Sequence, residues 1–215
     1  MNNTQKLQVI RRATLRFLVL SVLVSLPVMC VRIDMFYLHN GLSEISLTEL
    51  LQETILFISV CLFGYIAKKE PATRHAYVLV TGFFACLLIR EFDEFLDLIF
   101  HGFWVVPALI VAATAIGYAW SDKQKTLDGL CAHILDRNSV SMTVGLCILL
   151  VFSRIFGMGS LWDGLMGDAS VRAVKIVAEE GTEVLGYVIM FYSALCYFMD
   201  FKRSQTLDKT TQPNN

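Results

Sequence analysis

The chain has 215 residues, of which 55% are hydrophobic and only 17% charged, with a formal net charge of −1 and a mean hydropathy of +0.58. A soluble domain of this size carries about 25% charged residues and about 45–50% apolar ones, so the apolar surplus points to lipid rather than to a larger core. Near-neutrality and a pI of about 6.4 exclude the basic excess expected of a nucleic-acid binder.

Apolar runs recur at 17–33, 50–67, 76–100, 103–120, 140–157 and 176–199. They predict an all-α polytopic integral membrane protein, a bundle of six transmembrane helices forming one domain over residues 1–204, with 205–215 as a flexible cytoplasmic tail. The basic N-terminal stretch before the first run resembles the start of a signal peptide, but the run continues past Pro27 without a small-x-small site and reads as a retained first span. Pro27 and Pro107 are candidate kinks. Gly181 and Gly186 in the last run permit close approach of another helix. The segment from Ser121 to Ser139 carries Leu127, Leu130, Ile134 and Leu135 at helical spacing and predicts a short amphipathic helix on the membrane surface. The glycine-rich stretch from Met158 to Asp168 around Trp162 is expected to connect two spans or to cover the outer end of the bundle.

Orientation follows from the cations. With a cytoplasmic N-terminus, thirteen of the eighteen Lys and Arg residues lie on the inner side, the positive-inside pattern, so both termini are expected inside. Compactness suggests a bacterial inner membrane. The acidic residues divide the other way, giving formal charges of +7 inside and −8 outside. Acidic residues contribute little to orientation, so their crowding needs a separate cause.

The carboxylates also lie deep. A hydrocarbon core of about 30 Å needs about 20 helical residues, yet the second run is uninterrupted only over 54–67 and the third over 76–89. Glu53, Glu91, Glu94, Glu179, Glu180 and Glu183, together with Arg90 and Arg154, therefore fall at the outer ends of four helices. Helical periodicity places Arg90, Glu94, Asp97 and His101 on one stripe if the third helix continues through its charges.

Ionisable groups at membrane depth are taken as functional, with partners named. Two arginines cannot pair six carboxylates, and the surplus must bind a proton, a cation or water. Three readings stay open. The first is a non-catalytic assembly or structural subunit whose salt-bridge network fixes helix register. The second is a divalent-cation site for Mg²⁺, Ca²⁺ or Mn²⁺, with Glu53, Glu91, Glu94, Glu179, Glu180 and Glu183 as ligands. In its enzymatic form Glu94 and Glu183 are the catalytic residues, and Arg90 and Arg154 bind an anionic substrate such as a lipid phosphate. The third is a proton or ligand sensor. The expected partners are the bilayer and a lipid or cation ligand, with the acidic pocket on the periplasmic or extracellular side. Zinc hydrolysis is disfavoured because His39, His75, His101 and His133 are isolated and no H-E-x-x-H occurs. Glu-x-x-His di-iron chemistry and a G-x-S-x-G elbow also lack their residues.

Overall fold

The computed structural model describes residues 2–38, 46–166 and 171–211, and these are helical with no strand among them. Helix α1 (Asn3–Ile33) starts at Asn2, whose side chain accepts the Asn3 amide within a capping box completed by Gln5, so that first-turn donors are satisfied. It passes through Pro27 and ends in a π-helical turn, Asp34–Leu38. Helix α2 (Leu47–Lys69) is capped by Ser46, whose hydroxyl accepts the Glu49 amide at 3.1 Å. Lys68 and Lys69 lie in its last turn, the favourable sign for a helix C-terminus.

Helix α3 (Arg74–Glu91) stops at Phe92 and is followed by a single turn, α4 (Asp93–Leu96). Here the structure corrects the expectation of one continuous helix over 76–100. Glu91, Asp93, Glu94 and Asp97 crowd negative charge at a helix C-terminus, where the dipole opposes it. The Asp93 side chain instead accepts the Glu94 amide at 2.7 Å, and Asp97 accepts the Gly102 amide at 2.8 Å. Gly102 has φ +82°, a conformation that costs glycine little.

Helix α5 (Val105–Ser121) meets α6 (Lys123–Leu135) at a 106° bend. The amphipathic segment is thus a helix that turns aside from the helix before it. It packs on α3 through Gly129, where a Cβ would come within 2.6 Å of Ala76 Cβ. Helix α7 (Ser139–Cys147) runs through a π segment, Ile148–Phe152, into α8 (Ser153–Phe156), and α9 (Gly159–Met166) follows. Gly167 and Asp168 of the predicted connector, and His39, lie outside the described residues.

Helix α10 (Val171–Thr211) has 41 residues, about 62 Å at 1.5 Å each. It continues through Thr211, so much of the segment predicted as a loose tail is helical. It is also the centre of the packing: α10 lies against α1, α2 and α7, while α2 lies against α3 and α3 against α5. The core is built from Leu56, Phe63, Ile66, Phe84, Val184, Tyr187, Val188 and Met190, all at most 1% exposed. By contrast only 17% of the apolar window of α1 is buried, against 44% for α10.

Four helical stretches are long and apolar enough to cross a membrane, and a fifth arises if the bent α5–α6 pair is one span. This is consistent with a multi-pass helical membrane protein. The exposure of large residues such as Phe17, Val28, Leu109, Ile110 and Leu150 is what lipid contact requires, since such patches are rare on soluble monomers.

The approach of α7 to α10 depends on two glycines. A Cβ on Gly186 would lie 3.0 Å from both the Gly145 carbonyl oxygen and Leu149 Cβ. Gly186 thus meets the expectation of a close helix contact, whereas Gly181 has only an ordinary 3.9 Å contact with Val31. Gly186→Val is expected to destabilise the fold by about 1–3 kcal/mol through overpacking, read as a lower unfolding temperature in detergent. Gly117→Ala, where nothing lies within 4 Å of the added Cβ, is expected to gain up to about 1 kcal/mol from helix propensity. An unchanged unfolding temperature for Gly186→Val contradicts the close-contact account.

Candidate functional site: a carboxylate vestibule held by two arginines

At the end of the bundle opposite the Lys68–Lys69 turn, α2, α3, α8 and α10 bring their charges together. Glu183 of α10 is the centre. Its side chain is only 4% exposed, and it accepts from Arg90 of α3 at 2.7 Å through one oxygen and from Arg154 of α8 through the other. Arg90 also reaches Glu91 at 2.7 Å, and Arg154 reaches Glu179 at 2.8 Å. The Glu91 carboxylate receives a further hydrogen bond from the buried Tyr187 hydroxyl at 2.6 Å. Each arginine therefore forks between two carboxylates, which its planar, multi-donor head suits better than lysine's.

Local backbone features aim these groups. The π segment Ile148–Phe152 ends two residues before Arg154, with Ser153 between them buried and its hydroxyl bonded to the Leu149 carbonyl at 2.6 Å. Such π bulges re-register the residues that follow and recur at functional sites. Gly157 leaves room for Glu179: a Cβ there would lie 2.9 Å from that side chain. The start of α2 is fixed from α1 by fully buried Asp34, whose carboxylate accepts the Leu47 and Thr48 amides at 2.8 and 2.9 Å and the Thr48 hydroxyl at 2.5 Å. An anion at a helix N-terminus answers both the free amides and the dipole.

These elements enclose a cavity of about 210 Å³ lined by Ser46, Thr48, Glu49, Gln52, Arg90, Glu91, Asp93, Glu94, Arg154, Glu179, Glu180 and Glu183. Glu180 contacts the Gln52 amide at 3.5 Å and makes no ion pair with a described residue. The cavity is polar and has room for several waters, so it can hold a small hydrated ion.

The predicted residues thus divide. Arg90, Arg154, Glu91, Glu179, Glu180 and Glu183 come together. Glu94 lies exposed on the rim. Glu53 faces instead a neighbouring groove with Glu49, Phe92 and Phe95. The predicted stripe of α3 is broken: Asp97 pairs with fully exposed His101 at 2.8 Å, away from the network. Among the described residues no group of three His, Cys, Asp or Glu is placed to hold a metal ion directly. Sequence reasoning missed Asp34, Thr48, Gln52 and Tyr187. The S-x-x-E pattern of Ser46 and Glu49 is a helix-start signal that marks where α2 begins but not its partner Asp34, and nothing in the spacing marks Tyr187.

Tyr187→Phe leaves Glu91 with one fewer donor, and we expect a loss of about 1.5–3 kcal/mol, the range for hydrogen bonds to charged groups. Arg154→Gln takes one cation from Glu183 but leaves Arg90 on it, and acts at a side chain 46% exposed that solvent can replace, so it is expected to cost about 1 kcal/mol. Thermal unfolding of the two variants in detergent checks the order. A larger loss for Arg154→Gln contradicts the assignment of Glu91 and Tyr187 to the dry part of the network.

Comparison with protein families, with curated proteins and with solved structures returned no match to this chain.

Proposed function

We propose that the chain is a six-span membrane protein whose acidic vestibule takes up a cation or protons and thereby acts on, or senses, a ligand in the membrane. The observation that carries this reading is the charge inventory of the cavity wall: Glu49, Glu91, Asp93, Glu94, Glu179, Glu180 and Glu183 against Arg90 and Arg154. After the arginines have satisfied Glu91, Glu179 and Glu183, the surplus stands on Glu49, Glu180, Asp93 and Glu94. Crowded carboxylates in a confined space lower their energy by taking up a proton or a cation. A hydrated divalent ion such as Mg²⁺, which keeps several waters, needs no closed cage of protein ligands. In this reading Glu183 is a positioning residue, because both of its oxygens already accept from guanidinium groups, while Glu49 and Glu180 face the ion.

The six-span topology completes the proposal. Helix α3 has 18 residues and α5 has 17, about 26–27 Å, close to the thickness of a hydrocarbon core. With the Lys- and Arg-rich turns inside, both termini are cytoplasmic. In a bacterial inner membrane the vestibule then faces the periplasm.

A second reading is favoured by one observation. A carboxylate bridged by arginines from two other helices is what a register-fixing network needs, so the same residues can serve a non-catalytic subunit. Binding separates the two. Titration of the detergent-purified full chain with Mn²⁺, followed by electron paramagnetic resonance, is expected to show saturable binding. Glu180→Gln is expected to weaken it about tenfold by removing one charge from the ion's surroundings, with the unfolding temperature retained. Absence of saturable Mn²⁺ binding, together with a pH-independent unfolding temperature between pH 5 and 8, overturns the vestibule reading and leaves the scaffold.

A further inference from the structure

The face of α10 turned away from the carboxylates is apolar. Between it, α1 and α9 lies a groove of about 670 Å³, within the range of about 300–1,000 Å³ usual for ligand pockets. Val28, Val31, Trp162, Gly181 and Leu185 contribute to its walls, and Arg32 is the charged residue among those that line it. Gly181 keeps the groove open, since its nearest neighbour across the gap is Val31, 3.9 Å from a built Cβ.

Three features identify the occupant. The groove follows α1 and the π-helical turn after it from Val24 to Phe36, about 18 Å, and one leaflet of a hydrocarbon core about 30 Å thick spans about 15 Å. Its α1 wall is open to the side, with Val28 64% exposed, so in a membrane it faces acyl chains directly. Arg32, exposed in the last turn of α1, makes no ion pair with a described residue, and the neighbouring Asp34 is buried against the start of α2. A long cationic side chain at a helix end reaches the headgroup layer, and guanidinium groups bind phosphate with paired hydrogen bonds. The Trp162 indole N–H is already bonded to the Phe156 carbonyl at 2.8 Å. Its ring is thus fixed as groove wall, and tryptophan is the residue that gathers at membrane interfaces.

We infer that this groove holds an acyl chain of an anionic phospholipid from the vestibule-side leaflet, with the lipid phosphate on Arg32. The inference rests on α1 and α10 crossing the membrane, and not on cation uptake by the vestibule.

Trp162 reports on the site. In a Trp104→Phe/Trp120→Phe background it is the single tryptophan, and the full chain can be reconstituted into vesicles of phosphatidylcholine with a minor fraction of brominated lipid. Brominated phosphatidylglycerol is expected to quench Trp162 with an apparent affinity about fivefold above that of brominated phosphatidylcholine, the preference expected of one cation near the surface. Arg32→Gln is expected to remove that preference while leaving the helical circular dichroism unchanged. Gly181→Leu, which fills the groove, is expected to lower quenching by both lipids. Equal quenching by the two lipids in the parent, or a preference that survives Arg32→Gln, overturns the proposal. So does a dimer bridged by a Val28→Cys disulfide in the vesicles, since a second copy would then cover the groove. Absence of quenching by either lipid overturns the membrane-spanning reading as well.

Discussion

The carboxylate of Glu183 is the point on which the vestibule end of the bundle closes. It lies on the central helix, α10, and each of its oxygens takes a guanidinium from a different neighbour, Arg90 of α3 and Arg154 of α8. Removing such a charge from water costs several kcal/mol unless partners replace the lost solvation. Here two cations do so, and each spreads its remaining donors onto a further carboxylate, Glu91 or Glu179. Three helices are thereby held in one rotational setting. A network of this kind is a weak source of net stability compared with a well-packed apolar alternative. Its value lies in fixing which way the helices face, and that orientation turns the remaining carboxylates into the wall of a vestibule.

Helix α10 separates two environments at the same depth. Glu179, Glu180 and Glu183 face the vestibule, whereas Ala178, Gly181 and Thr182 face the apolar groove beside α1. The separation depends on close packing further down, where Gly145 and Gly186 let α7 touch α10 backbone to backbone. At the opposite end, the connection between α6 and α7 is fastened to α10 by polar contacts. Arg137 and Asn138 both reach Asp200 at 3.1 Å, Ser193 donates to the Asn138 carbonyl at 2.7 Å, and Tyr197 donates to the His133 carbonyl at 2.6 Å. The bundle is thus tied at both ends along one helix, with Phe63, Phe84 and Met190 filling the space between.

Much of this was legible in the residue order. The opposed charge asymmetries, and the shortfall of apolar length at the outer ends of 54–67 and 76–89, pointed to the four chain segments that build the vestibule. Periodicity also identified α6 as an amphipathic helix, though not its packing on α3 through Gly129. Pairing was not legible, because the 3.6-residue repeat fixes which residues share a face but not how that face is rotated toward its neighbours. Glu53 and Glu49 share a face of α2, yet only Glu49 reaches the main cavity. The break at Phe92 was hidden for a different reason. The apolar residues Leu96, Leu98 and Ile99 resume a pattern compatible with a helix, and the unfavourable charge at its end had to be weighed against that pattern. Asp34, Gln52 and Tyr187 act through contacts more than twelve residues distant in sequence, and no local signal announces them.

The most direct measurement of the central claim is the coupling energy between Arg90 and Glu183, from a double-mutant cycle of Arg90→Gln, Glu183→Gln and the pair, with unfolding free energies in one detergent. The account predicts that each single change costs on the order of 3 kcal/mol by leaving a largely buried group short of one of its two partners. It also predicts that the double change costs clearly less than the sum, a coupling of about 1–3 kcal/mol. Additive losses, with no coupling beyond about 0.5 kcal/mol, would contradict the claim that this pair sets the vestibule end of the bundle.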